Sequence, residues 1–392
     1  MKYNFDEIID RKNTSCLKYD FAVERGRPED VLPFWVADMD FRTPPEIVEA
    51  LISRAKHGIF GYTSPKEEYF KAVAGWFERR HNWSPDPEGF VLTCSVVFAI
   101  SALIRTVTKE GDSVLICQPV YYPFSTCVTQ NNRKLVVSEL NFKDGKYEVN
   151  FEDFEKKIIE EGVKAFILCN PHNPVGRVWT RDELVRMGDI CKKHGVFVIS
   201  DEIHADFTYA GYKHIVFTEL KKEYLDMCAV CTAPTKTFNL AGLHVSNTYV
   251  PNAEIRAKLR ADLDAVGFSQ PNVMGMTACV AAYTYGAEWL DELKSYLTEN
   301  LNFARKYLKE NLPDIKLIEP EGTYLIWLDC RALKLSDEEL QNLVEQKAKL
   351  WLDDGYIFGK GGSGFERINI ACPRATLKEG LDRFTRAVKS LR

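Results

Sequence analysis

With 392 residues, the chain is too long for one simple hydrophobic core, so we expect two domains. Its 51 lysine and arginine residues face 56 aspartate and glutamate residues, and the net charge of −5 predicts no basic surface for nucleic acid or an acidic membrane. No apolar run is long enough to cross a bilayer or has the form of a signal peptide, so we predict neither.

Four short apolar runs in the middle of the chain are typical of buried strands. They cover residues 112–117, 164–170, 196–201 and 226–232. Near-continuous apolar runs of this length favour parallel strands that are covered on both faces. Amphipathic stretches lie between them, and one has a helix start at Thr180, with Glu183 three residues later. The alternation predicts an α/β domain with a mostly parallel sheet over residues 47–285.

The pattern changes after residue 271 and predicts a smaller α+β domain, to which we assign residues 1–46 and 286–392. The predicted elements are a long helix over 272–310 with a break near Gly286, strands over 315–318 and 324–328, a helix from Ser336 to Gly355, a glycine-rich segment over 358–364, a strand over 367–370 and a last helix over 376–391.

The 11 cysteines are scattered and odd in number, and most lie in the apolar runs. This usage predicts reduced thiols in a cytoplasmic protein. Cys228 and Cys231 form one CxxC pair, but neither a second pair nor a histidine pair accompanies it. Core packing is therefore favoured over a zinc or redox site, and we predict no bound metal.

Three polar side chains come at or after the ends of consecutive predicted strands: Asn173, Asp201 and Lys236. Ligands bind beyond the carboxyl ends of the strands in open α/β sheets, so we expect one crevice to contain all three. A buried lysine loses its proton easily, and a neutral amine can form a Schiff base with a carbonyl. Taken singly, Lys236 could snorkel at a strand end, Asp201 could cap a helix, and Asn173 could belong to a simple turn.

An amide, a carboxylate and a lysine around one crevice suggest pyridoxal 5'-phosphate (PLP). This cofactor needs a lysine for its aldehyde, a carboxylate to keep its pyridine nitrogen protonated, a donor for its phenolic oxygen and an anion site for its phosphate. In this interpretation Lys236 is the Schiff-base lysine, Asp201 is the pyridinium partner and Asn173 is the phenolate donor.

Motifs along nearly the whole chain support this interpretation. They are FWVADMDF (34–41), GYT (61–63), QPVYYP (118–123), NPHNPVGR (170–177), DEIHAD (201–206), APTKTFNLAGL (233–243) and RINIACPR (367–374). In these motifs the chain resembles the class I/II aminotransferase family, and within it the branch of cystathionine β-lyases and other C–S lyases. The resemblance implies the aspartate-aminotransferase-like α/β fold (PLP fold type I), a homodimer and the PLP cofactor.

The resemblance also assigns roles around the cofactor ring. Tyr121 would stack on the pyridine, and His204 would lie near the phenolic oxygen, where many aminotransferases have a tyrosine. Tyr62 would enter the neighbouring subunit's site and reach the phosphate there.

The resemblance places the phosphate at a helix start. The backbone N–H groups of Val96 and Val97 would hold it, as helix N-termini commonly bind anions. Thr235 and Thr232 would add hydroxyl contacts. Ser95 stands where the family usually has glycine, and His244 stands where many aminotransferases have an arginine, so we expect backbone and hydroxyl groups to bind the phosphate.

The resemblance implies an amino-acid substrate. Arg374 would bind the substrate's α-carboxylate through its planar fork, beside Asn173. Trp35 would lie at the entrance, and Tyr122 and Tyr324 are further candidates for the wall around the substrate side chain.

Three functions stay open at this stage. The chain would be a C–S β-lyase that eliminates a thiol from Cβ and yields pyruvate and ammonia, an aminotransferase of the same fold, or a PLP-containing regulatory protein that acts by protein contact. The APTKTFNLAGL segment, His204 and the Trp35 entrance favour the lyase.

Overall fold

The computed structural model describes residues 2–391. Its strands are β1 (Leu32–Pro33), β2 (Phe90–Thr93), β3 (Ser113–Gln118), β4 (Lys134–Glu139), β5 (Asn141–Lys143), β6 (Lys146–Glu148), β7 (Val163–Cys169), β8 (Phe197–Asp201), β9 (Cys228–Thr232), β10 (Ser246–Tyr249), β11 (Lys316–Ile318), β12 (Leu325–Asp329), β13 (Leu350–Trp351), β14 (Asp353–Asp354) and β15 (Phe365–Asn369). Its helices are α1 (Pro45–His57), α2 (Glu67–His81), α3 (Val96–Val107), α4 (Pro123–Gln130), α5 (Phe151–Glu160), α6 (Arg181–Lys193), α7 (Pro234–Thr237), α8 (Ala253–Ala265), α9 (Val273–Tyr285), α10 (Ala287–Asn311), α11 (Asp337–Asn342) and α12 (Arg374–Lys389).

The main sheet has seven strands in the order β2-β10-β9-β8-β7-β3-β4. Only β10 runs against its neighbours, so the sheet is mostly parallel, as predicted. The four predicted strands correspond to β3, β7, β8 and β9, and their side chains are almost all buried because helices cover the sheet. Together these features give the α/β class that the sequence predicts.

Strands β7, β8 and β9 are adjacent and in register at their carboxyl ends. Cys169 pairs with Asp201, and Asp201 pairs with Cys231. The chain therefore leaves all three strands at the same edge of the sheet. This register is what brings the residues that follow the three strands to one place.

Local signals account for several helix boundaries. Thr180 forms a capping box with Glu183 at the start of α6, as its spacing predicts, and Ser336 does the same with Glu339 at the start of α11. The predicted break near Gly286 is also confirmed, because this residue separates α9 from α10.

A second sheet has the antiparallel order β11-β12-β15-β14. The helix predicted from Ser336 to Gly355 is wrong beyond its first turns. Helix α11 ends at Asn342, a π-helical turn follows over Leu343–Lys347, and the chain then forms β13 and β14. The reason is tertiary pairing, since β13 pairs with β1 and β14 with β15.

The two sheets are built from separate parts of the sequence, as expected for two domains. The domain boundaries at residues 46/47 and 285/286 stay predictions.

Cys228 and Cys231 are free thiols buried in β9. Among the helices of residues 2–391, none has the length and apolar character needed to cross a membrane.

Candidate active site

A cavity of about 200 Å³ lies at the edge where β7, β8 and β9 end. The predicted site residues that line it are Trp35, Val96, Val97, Tyr121, Asn173, Asp201, His204, Thr235 and Lys236. Tyr122 also lines it, as does Arg367, for which the sequence predicted no role. The crevice expected from the strand ends is therefore present, and most of the predicted side chains meet in it.

Lys236 enters the cavity from α7, the short helix after β9. Its Nζ donates a hydrogen bond to the carbonyl oxygen of Ala37 at 2.5 Å. Burial, together with the nearby Arg367 charge, lowers the pKa of the ammonium to about 8 against the opposing effects of Asp38 and Asp201. Lys236 therefore reaches its neutral, nucleophilic form much more easily than an exposed lysine.

Asp201 is the last residue of β8 and is buried. Burial raises the pKa of its carboxyl to about 7, and Glu202 adds to the effect, while the Ile203 N–H and Lys236 oppose it. Its Oδ1 accepts a hydrogen bond from the Ile203 N–H at 3.1 Å, and within residues 2–391 no cation lies at ion-pair distance. A buried carboxylate in this state is suited to a cationic ligand group such as a protonated pyridine nitrogen.

Asn173 and Tyr121 form the next part of the wall. The Tyr121 N–H donates to the carbonyl oxygen of Asn173 at 3.0 Å, which holds the two segments together. The side-chain Oδ1 of Asn173 accepts from Nη1 of Arg367 at 2.9 Å. The Asn173 amide N–H₂ is the remaining donor group, which agrees with its predicted role toward an oxygen of the ligand.

His204 is buried beside the cavity, with its ring edge-on to Tyr324 at 5.7 Å between centroids. Burial lowers the pKa of the imidazole to about 3, and the charges of Lys236 and Arg367 contribute. The ring is therefore neutral near pH 7. Tyr324 hydrogen-bonds to the Ala37 carbonyl at 3.3 Å, so it supports the wall behind His204 without lining the cavity.

The start of α3 forms one end of the cavity. Ser95 caps this helix, and its Oγ accepts a hydrogen bond from the Phe98 N–H at 3.1 Å. This leaves the first-turn N–H groups of Val96 and Val97 available to an anion. Thr235 lies nearby in the lining, whereas Thr232 donates its hydroxyl hydrogen to the Asn247 carbonyl and is not part of the cavity.

These features fit PLP as the ligand. They comprise an amine with a lowered pKa, a buried carboxylate without a cation, an aromatic side chain and a helix N-terminus for a phosphate. In addition, three buried polar atoms of lining residues have no hydrogen-bond partner within residues 2–391: Trp35 Nε1, His204 Nδ1 and Arg367 Nε. Orphaned groups of this kind are expected where a polar ligand binds.

The prediction for Arg374 is corrected by the structure. Arg374 begins α12, and its Nε donates to the side-chain oxygen of Asn300 on α10 at 2.6 Å. Its guanidinium packs over the Phe303 ring, 5.2 Å from the centroid, and it does not line the cavity. Contacts with α10 thus hold this side chain away from the site.

Arg367, on β15, is the arginine that reaches the cavity. Besides its bond to Asn173, its Nη2 donates to the Trp35 carbonyl at 2.6 Å and forms an ion pair with Asp353. The signal in the sequence was an arginine in a predicted strand beside Ile368 and Ile370, where a buried charge is costly unless it is paired. The motif RINIACPR contains both arginines, and spacing alone does not say which one points inward.

Trp35 is at the cavity as predicted, stacked on Trp351 with ring centroids 4.5 Å apart.

Tyr62 lies away from the cavity of its own chain. Its side chain is 95% exposed, and it is not among the lining residues. Its predicted contribution to a neighbouring subunit stays a prediction.

Residues 29–384 match the family described as aminotransferase class I and II, and the chain belongs to this family. It is similar to the cystathionine beta-lyase PatB of Bacillus subtilis (strain 168), with 45% identity over 98% of this chain and 100% of that protein. Protein MalY of Escherichia coli (strain K12) is 36% identical over the full length of both. The crystal structure of cystalysin from Treponema denticola, which contains PLP, superposes with a TM-score of 0.96 at 40% identity and covers 100% of each chain.

The two arginines give a direct test of the site. We expect Arg367→Gln to lower kcat/KM for an amino-acid substrate by at least about 30-fold, or roughly 2 kcal/mol, because a buried charge-assisted contact is lost. Arg374→Gln is the matched control and is expected to change kcat/KM by less than about threefold, because it acts outside the cavity. Steady-state kinetics on both variants, with circular dichroism to verify folding, measures this. An equal or larger loss of kcat/KM in Arg374→Gln would instead support Arg374 as the residue that binds the substrate's α-carboxylate.

Proposed function

We propose that this chain is a PLP-dependent C–S β-lyase of the cystathionine β-lyase type, which converts a sulfur amino acid and water into pyruvate, ammonia and a thiol. The observation that carries the proposal is the convergence of Lys236, Asp201 and Arg367 on one cavity, in a chain 45% identical to a cystathionine beta-lyase over nearly its full length. Bound PLP would withdraw electrons from the substrate's Cα and make its hydrogen acidic.

Each charged group has a defined part in this proposal. The guanidinium of Arg367 binds the substrate's α-carboxylate, since its buried Nε still lacks an acceptor. Asp201 would hold the ring nitrogen of the cofactor in its protonated form, because a buried carboxylate gains most from a cation at short range. Asn173 links the two regions by bonding to Arg367 while its amide N–H₂ remains free for the cofactor's phenolic oxygen.

Lys236 moves the proton. With its pKa lowered to about 8, its Nζ is ready to accept the hydrogen that leaves Cα. The Cβ–S bond would then break: its electron pair leaves with sulfur as a thiolate, while the electron pair of the former Cα–H bond forms the Cα=Cβ double bond. Water would hydrolyse the released enamine to pyruvate and ammonia. The aromatic groups Trp35, Tyr121 and Tyr122 line the cavity and keep water from the reacting carbon.

The Lys236 role has a spectroscopic test. We expect Lys236→Ala to lose the visible absorbance of lysine-bound PLP after desalting, because no other lysine lines the cavity among residues 2–391. Lys258→Ala is the control, since Lys258 lies exposed on α8 and pairs with Glu254. Unchanged visible absorbance in Lys236→Ala would contradict the assignment.

The reaction itself is tested by product analysis. With cystathionine as substrate, the purified protein is expected to release pyruvate and a free thiol in equal amounts, measured by a lactate dehydrogenase assay and a thiol reagent. Cystine and cysteine, assayed in parallel, establish which leaving group is preferred. Consumption of a keto acid with no thiol would favour an aminotransferase, and the absence of any turnover by the PLP-loaded protein would favour a regulatory role.

We also propose a homodimer in which Tyr62 completes the neighbouring subunit's phosphate site. The support is an exposed apolar surface on and after α1: Val48, Ile52, Ile59, Phe60 and Tyr62 are all exposed. Apolar side chains gathered in this way commonly mark an interface.

We further propose a cytoplasmic location, because all 11 cysteines are free thiols. Recovery of the protein from a secreted fraction would contradict this location.

Mixed dimers test the role of Tyr62. Tyr62→Ala and Lys236→Ala are each expected to impair cofactor binding or activity as pure dimers. A heterodimer of the two should regain one working site, because one subunit supplies Lys236 and the other supplies Tyr62. Activity and visible absorbance of tagged heterodimers measure this, with Tyr356→Ala as an exposed-tyrosine control. No recovery, or a monomer in sedimentation velocity, would overturn the proposal.

A further inference from the structure

A second cleft, of about 220 Å³, shares no lining residue with the active-site cavity. It lies between the end of α2, the loop over residues 205–214 and helix α10. Its basic lining residues are Arg79, Arg80, His81, Lys213, His214 and Lys294. We call it the cationic cleft. Its composition is notable because the whole chain has a net charge of −5.

Lys294 is the most informative of these side chains. It is only partly exposed, and burial lowers the pKa of its ammonium. Within residues 2–391 it has no hydrogen-bond acceptor and no carboxylate at ion-pair distance. The buried Lys18, in contrast, pairs with Asp40 at 2.8 Å. Asp206 and Asp291 oppose this lowering, but neither lies at ion-pair distance from the ammonium. A partly desolvated ammonium without a close partner is costly to keep, so a bound anion would stabilise it.

The helix dipole offers another explanation for the basic residues of α2, but it does not apply to the other basic residues of the cleft. Arg79, Arg80 and His81 lie in the last turn of that helix, where cations complement the negative end of the helix dipole. Arg80 also pairs with Asp291, and Arg79 donates to the Tyr283 carbonyl.

Lys213 and Lys294 come from other elements, so the dipole of α2 does not account for them. Lys213 is exposed and, within residues 2–391, has no ion-pair partner. These two ammonium groups are therefore positive charges of the cleft that need another explanation.

The one carboxylate that lines the cleft, Asp206, forms an ion pair with neither of them. Asp206 is buried and accepts hydrogen bonds from Trp76 Nε1, from the Thr237 hydroxyl at 2.7 Å and from the ring of His81 at 2.9 Å. These bonds and the charge of His81 hold the pKa of Asp206 low in spite of burial. Asp206 is thus committed to its own network, and within residues 2–391 Lys213 and Lys294 have no ion-pair partner.

We propose that the cationic cleft binds a small phosphate dianion, either free inorganic phosphate or the phosphate group of a small monoester. Lys294 and Lys213 are its direct partners, and Arg79 and Arg80 add to the positive field. Each phosphate oxygen accepts charge-assisted hydrogen bonds, so ammonium groups from two directions suit a tetrahedral anion. A volume of about 220 Å³ is several times the roughly 30 Å³ that one water occupies in the liquid, which leaves room for the anion and its remaining waters.

The cleft is linked to the active site through Asp206. This carboxylate binds His81 in the cleft wall on one side and Thr237, the residue after Lys236, on the other. The same carboxylate thus contacts both the wall of the cleft and the side chain of the residue next to Lys236. This arrangement gives the cleft a physical route by which its occupant could influence the enzyme.

Isothermal titration with inorganic phosphate tests the proposal. The protein must be the PLP-loaded form in a Tris buffer, so that the cofactor already fills the phosphate site at α3. We expect one saturable site per chain, and Lys294→Gln is expected to weaken binding about tenfold or more because a charge-assisted contact is lost. Lys306→Gln, an exposed lysine on the same helix, is the matched control and is expected to bind like the wild type.

Glycerol phosphate, titrated in parallel, separates the two sources of the anion. Tighter binding of glycerol phosphate identifies a monoester site, and equal or weaker binding identifies a site for free phosphate. Lys213→Gln provides a second variant in case Lys294→Gln disturbs folding, which near-ultraviolet circular dichroism would reveal. The absence of saturable binding to the wild type, or unchanged binding in both cleft variants, overturns the proposal.

Discussion

The guanidinium of Arg367 is the point at which three distant parts of the chain meet. It binds Asn173 after β7, the Trp35 carbonyl near the N-terminus and Asp353 on β14. A buried cation must have such partners, because leaving it unpaired would cost several kcal/mol. The same pairing brings the entrance segment and the second sheet against the end of the main sheet. All three segments contribute lining residues to the cavity.

A second set of hydrogen bonds fastens the entrance segment to the residues at and just after α7, the short helix that carries the lysine. The Asn239 amide donates to the carbonyl oxygens of Met39 and Phe41, and its own oxygen accepts from the Met39 N–H. Lys236 itself binds the Ala37 carbonyl. Residues 37–41 therefore lie against the lysine and help to remove it from water. That desolvation is the largest cause of its lowered pKa.

Much of the fold and part of the site follow from local patterns. The apolar runs became β3, β7, β8 and β9, and both capping boxes formed, because each depends on side chains within a few residues. Asn173, Asp201 and Lys236 meet because parallel strands end at one edge of the sheet. The helix predicted up to Gly355 is wrong because residues 350–354 pair with strands far away in sequence. A local sequence pattern does not indicate which distant strand a segment will pair with.

The sequence by itself determined the α/β order, the strand ends and the kinds of side chain at the site. Only the tertiary structure decided between Arg367 and Arg374, because both belong to one motif and differ in what packs against them. Arg374 is held by Asn300 on α10, whereas Arg367 lies on a strand whose neighbour carries Asp353. The cationic cleft is likewise a tertiary feature, since Lys294 and Lys213 are ordinary lysines until the fold places them beside the end of α2. Charge and burial at a site depend on neighbours in space, and a linear sequence does not specify these directly.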